Sequence, residues 1–67
     1  MNVAVNGRAK EIPDGLTLVQ LLAELGLAAP AGIAVAVNAR VVSQTAFASH
    51  ALREGDEVEI IRALAGG

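Results

Sequence analysis

Apolar and polar residues alternate at the start of the chain. Val3 and Val5 are interleaved with Asn2, Ala4 and Asn6, which is the period of two of a half-buried strand. Asn6-Gly7 follows, a dipeptide favoured in two-residue hairpin turns because both central positions need φ > 0. Arg8 to Ile12 is expected to return antiparallel, as far as the breaker Pro13-Asp14-Gly15.

The period then changes. Leu18, Leu21, Leu22 and Leu25 fall at i, i+3, i+4 and i+7, one face of an α-helix. Thr17 stands where an N-cap belongs, and Gln20 three residues on completes the pattern of a capping box. Gly26 is placed to end the helix as a left-handed C′ residue. After the small-residue loop Ala28-Ala29-Pro30-Ala31-Gly32, alternation by two returns. Ile33, Val35 and Val37 are separated by Ala34 and Ala36, and Asn38-Ala39 turns the chain into a short Arg40-Val41-Val42 segment. In Ser43 to Leu52, the residues Ala46, Phe47, Ala51 and Leu52 offer burial from a short helical turn. Glu54-Gly55-Asp56 makes a tight turn, and Val58, Glu59, Ile60 and Ile61 form a last strand that runs out into Ala63-Leu64-Ala65-Gly66-Gly67.

One helix with one leucine face can cover one face of a mixed sheet, giving two layers around a single core. The expected fold is therefore α+β, a ubiquitin-like β-grasp with a mixed four- to five-stranded sheet packed on one main helix. In that arrangement the first and last strands lie side by side and parallel at the centre. Residues 1–63 form the domain and residues 64–67 a flexible C-terminal Gly-Gly tail. The expected core is Val3, Val5, Leu18, Leu21, Leu22, Leu25, Val35, Val37, Phe47, Val58 and Ile60.

Composition narrows the possible functions. At 67 residues the chain is one domain near the lower limit at which a hydrophobic core suffices. With no cysteine it holds no disulfide and no thiolate-bound metal or cluster. The single histidine, His50, cannot build a zinc site alone, since zinc takes about four ligands. No apolar run approaches the ~20 residues needed to span a bilayer. The start does not read as a signal peptide, because Arg8, Lys10 and Glu11 interrupt it, so the expected location is cytoplasmic. Net charge is −2 with one aromatic residue, Phe47, and there is neither a basic stripe nor a stacking platform. Nucleic acid is disfavoured as a partner. The acidic run Glu54, Asp56, Glu57 and Glu59 is a solvated turn or a face for a basic protein.

The tail carries the remaining chemistry. On its own a terminal Gly-Gly reads equally as a frayed end or a remnant of processing. A terminal carboxyl with an ordinary pKa of ~3.3–3.7 is, however, a carboxylate near neutrality, able to attack the α-phosphate of ATP and form an acyl-adenylate. Glycines at the last positions remove the Cβ atoms that would collide with the walls of a narrow channel. At most ~3.3–3.6 Å per extended residue lets a few residues thread deep into a neighbour. A sulfur-handling protein without a thiol must hold sulfur elsewhere, and a C-terminal thiocarboxylate is one solution.

Over nearly its whole length the chain resembles the ThiS family of sulfur carriers. Val3-Ala4-Val5-Asn6-Gly7 is similar to the family's opening strand and turn, and Thr17-Leu18-Val19-Gln20-Leu21-Leu22 to its helix start. Ala34-Val35-Ala36-Val37-Asn38 with Val41-Val42 resembles its central stretch, and Leu52 to Ile61 followed by Ala65-Gly66-Gly67 its ending. Where the family commonly has V-P-R-x-x-W, this chain has Val42-Ser43-Gln44-Thr45-Ala46-Phe47. Phe47 can keep the aromatic core contact, while the partner contact of the family's proline and arginine is put in doubt. The resemblance implies adenylation of Gly67 by a ThiF-type enzyme using ATP, and conversion to a Gly67 thiocarboxylate by a sulfur donor protein. Delivery to a ThiG-type thiazole synthase for thiamin would follow. It implies a carrier rather than an enzyme, with no cofactor of its own and no membrane partner. Ala65, Gly66 and Gly67 would thread into the partner. Strand alternation points Glu59 and Ile61 outward with Ala36 on the same open face, where they would form a docking patch.

Three other readings share features of the chain. The small subunit of molybdopterin synthase has the same fold and tail chemistry, but a proline commonly precedes its tail and Ile60-Ile61-Arg62-Ala63-Leu64 has none. A carrier for another sulfur pathway, such as tRNA thiolation or cysteine synthesis, is the second. A TGS-like β-grasp binding module, with a start like Pro13-Asp14-Gly15-Leu16-Thr17, is the third and belongs to a different class.

Overall fold

A computed structural model describes residues 1–27 and 32–62. Strands β1 (Asn2–Val5) and β2 (Arg8–Glu11) form the expected hairpin. Its turn residues Asn6 and Gly7 have φ of 50° and 82°, both positive as a type I′ turn requires. Helix α1 (Leu18–Glu24) follows, then β3 (Ile33–Val37), β4 (Arg40–Val42), a 3₁₀ turn at Gln44–Ala46 and β5 (Glu57–Arg62). The sheet has five strands in the order β2-β1-β5-β3-β4. β1 and β5 pair in parallel near its centre, with Val5 beside Val58, and the other neighbours are antiparallel. This is the β-grasp arrangement.

The helix is set by its ends. Thr17 Oγ1 accepts from the Gln20 N–H at 3.3 Å and Gln20 Oε1 from the Thr17 N–H at 2.9 Å, closing the capping box. Two further N–H groups of the first turn, which no helix can satisfy internally, are taken by the 47–52 segment: Leu18 donates to His50 O and Val19 to Phe47 O. At the other end Gly26, at φ 77°, donates to Ala23 O and Leu27 to Leu22 O, the bond pair of a Schellman motif.

Leu18, Leu21 and Leu22 pack with Val3, Val35, Val37 and Val58 of the sheet, and Ile12, Leu16, Ile33, Phe47 and Leu52 close the core's rim. Phe47 is buried and keeps the aromatic contact expected of it. Three of the expected core residues differ. Leu25 is 37% exposed, because it is the C-cap and the chain leaves the leucine face there. Val5 and Ile60 are only partly buried, packed against the core from its margin. Ala51, expected to bury from the 43–52 segment, is exposed, and Leu52 alone of that pair turns inward. Among the described residues no helix is long and apolar enough to cross a membrane.

Candidate functional site

β5 has a two-faced pattern. Val58 is fully buried against the helix layer, whereas Glu57, Glu59 and Ile61 are exposed on the other face. In an antiparallel pair, residues directly opposite each other share a face. Ala36 lies opposite Glu59 and Ala34 opposite Ile61, and Val41 of β4 lies opposite Ala36. The structure therefore brings Ala36, Glu59 and Ile61 together on the face without the helix, as the sequence reading expected. Ala36 is half-buried and the other two are exposed.

Ile61 is 61% exposed and Val41 81% exposed. With Ala34 and Ala36 between them they make a shallow apolar strip across β5, β3 and β4, flanked by Glu57 and Glu59. Apolar residues scattered singly on a surface need no explanation, but these four are neighbours across three adjacent strands. Val41 was not singled out from the sequence. Its signal was its neighbour Val42, which pairs with buried Val35 and thereby turns Val41 to the open face. Ala65, Gly66 and Gly67, the expected threading residues, lie outside the described residues, as does the expected boundary between residues 63 and 64.

In its C-terminal half, β5 is anchored by a side chain. The Asn6 backbone N–H donates to Val58 O at 2.8 Å. Its Oδ1 accepts from the Ile60 N–H at 2.8 Å and its Nδ2 donates to Ile60 O at 3.3 Å. β1 ends at Val5, so the Asn6 amide imitates the next rung of the parallel ladder. Ile60 is thus held on both edges of β5, by Asn6 on one side and β3 on the other. Among the described residues no group of three or more His, Asp or Glu is placed to hold a metal ion.

A five-stranded mixed sheet gripping one helix, with a final central strand leading to the C-terminal residues, defines a small β-grasp domain. Residues 3–67 match the family described as the ThiS family, and the chain belongs to that family, whose members are non-catalytic sulfur carriers of thiamine biosynthesis. It is 31% identical to the sulfur carrier protein ThiS of Escherichia coli K12, over all of both chains. It is also 31% identical to a thiazole synthase of Paramagnetospirillum magneticum, matching 20% of that enzyme's length with the whole of its own. The crystal structure of the thiamine biosynthesis protein ThiS from Geobacter metallireducens superposes over all of both chains with a TM-score of 0.85 at 30% identity.

Proposed function

We propose that the chain carries sulfur on the C-terminal carboxyl of Gly67 and delivers it for thiazole formation. The carboxylate attacks the α-phosphate of ATP in a ThiF-type adenylating enzyme, expelling pyrophosphate. A sulfide equivalent from a donor protein then displaces AMP and leaves a thiocarboxylate. Residues 64–67 serve as the tail that enters the partner's channel, with Ala65, Gly66 and Gly67 threading, while Ala36, Glu59 and Ile61 dock the domain. ATP-dependent activation places this chemistry in the cytoplasm.

The observation that carries the reading is the end-to-end match with the E. coli carrier, which includes the Ala65-Gly66-Gly67 end. Delivery to a ThiG-type thiazole synthase draws support from the thiazole synthase that contains a segment similar to this chain. Joining two partners in one polypeptide raises their effective concentration without any new contact. The test is positional. One residue added after Gly67 displaces the carboxylate by up to ~3.3–3.6 Å, whereas reacting atoms must approach within ~3–3.5 Å in near-attack geometry. With the adenylating enzyme, ATP and a sulfur donor present, the extended protein should gain no sulfur, and unimpaired sulfur transfer to it would overturn the reading.

A further inference from the structure

Three asparagines occur in the chain, and only Asn6 precedes a glycine, Asn2 and Asn38 being followed by Val3 and Ala39. Asn6 and Gly7 are both exposed, at the tip of the first hairpin. The backbone nitrogen after an asparagine can close a five-membered ring on the side-chain carbon Cγ, so its attack there is intramolecular. A Cβ on the following residue hinders that approach, and Gly7 has none. The space is open as well, since no atom beyond the chain neighbours lies within 4 Å of where that Cβ would stand.

The same amide holds β5. Its Oδ1 accepts from the Ile60 N–H and its Nδ2 donates to Ile60 O, and Asn6 shares a shallow trough with Ala4, Gly7, Glu57 and Glu59. Chemical change at this one side chain is therefore felt in the strand. An oxygen in place of Nδ2 sets an acceptor against the Ile60 carbonyl and adds negative charge to a trough that already holds two carboxylates. Rerouting the backbone through the side chain goes further. It adds a methylene to the main chain, which a two-residue turn that fixes strand register cannot absorb.

We infer that Asn6 is a site of spontaneous deamidation, and that its isoaspartate product releases the C-terminal half of β5 from the first hairpin. The Gly7 nitrogen forms a bond to Asn6 Cγ, the Cγ–Nδ2 bond breaks, and the proton given up by Gly7 leaves with Nδ2 as ammonia. Water then opens the cyclic imide at one of its two carbonyls, leaving isoaspartate or aspartate. Water is the one co-reactant, and no part of the sulfur chemistry at Gly67 is used. Ring closure draws Cγ onto the Gly7 nitrogen and expels the atom bonded to Ile60 O, so it runs through the state in which both bonds to Ile60 are open. Two such bonds lower the population of that state about 5–30-fold. The clamp that the reaction destroys is thus also what delays it.

The experiment incubates the protein in mildly alkaline buffer, with and without unfolding urea, and follows each asparagine by peptide mapping with fragmentation that separates isoaspartate from aspartate. Both products should accumulate at Asn6 before any change at Asn2 or Asn38. Conversion should be about 5–30-fold slower in the native protein than in urea, and faster as pH rises. The isoaspartate fraction, isolated by ion exchange, should show the Ile60 amide exchanging about 5–30-fold faster than in the unmodified protein, with Val35 and Leu22 changing much less. An Asn6 that stays intact in the native protein, or reacts only after Asn2 or Asn38, would overturn the inference. Equal rates in the two solvents would overturn it too, as would isoaspartate at residue 6 with Ile60 exchange within about twofold of the unmodified protein.

Discussion

Asn6→Gly separates two roles that one residue performs. Glycine keeps the positive φ of the hairpin turn and keeps the backbone N–H that bonds Val58 O, but it deletes the amide that holds both backbone groups of Ile60. A neutral hydrogen bond contributes ~0.5–1.5 kcal/mol net. The bond from the Ile60 N–H, at 2.8 Å, is well formed, whereas the one to Ile60 O, at 3.3 Å, lies at the weak end of the range. Together they contribute about 1–2 kcal/mol. The loss is local, because β3 still pairs with β5 on its other edge. Native-state amide exchange measured by NMR should therefore show Ile60 exchanging about 5–30-fold faster, with the buried Val35 and Leu22 amides changing much less. An Ile60 amide that exchanges within about twofold of wild type would refute the claim that Asn6 pins β5 at Ile60.

Other substitutions probe the remaining parts of the account. Ala39 has φ of 67°, a left-handed conformation that costs a residue with a Cβ about 1–2 kcal/mol, so Ala39→Gly should raise the melting temperature by several degrees in thermal unfolding. Leu22, 1% exposed, should cost ~2–5 kcal/mol on truncation to Ala. That is a large part of a stability of ~0.05–0.15 kcal/mol per residue, and an unchanged melting temperature would contradict the core. Ile61→Asp should leave thermal unfolding unaltered and weaken binding to the adenylating enzyme, and undiminished affinity would remove Ile61 from the interface.

The elements set by local chemistry were legible from the residues. The Asn6-Gly7 turn, the Thr17–Gln20 box and the Gly26 stop each depend on neighbours within a few positions, and alternation gave the strands and the outward direction of Ile61. What was not legible depends on contacts distant in sequence. Leu25 keeps the helical spacing yet emerges into solvent, because spacing does not reveal that the helix ends one residue earlier. Asn6 and Asp56 read as turn residues, and only the fold shows Asn6 reaching Ile60 and Asp56 joining Asn38 to Arg53. The outward face of β5 was legible because it follows from strand parity.

The central claim is that the covalent change occurs at the Gly67 carboxyl. Its most direct test is the intact mass of the protein after incubation with the adenylating enzyme, ATP and a sulfur donor, followed by fragmentation to locate the change. The mass should rise by the difference of one sulfur for one oxygen, the change should map to Gly67, and omitting ATP should abolish it. An unchanged mass under these conditions, or sulfur found on any other residue, would contradict the account.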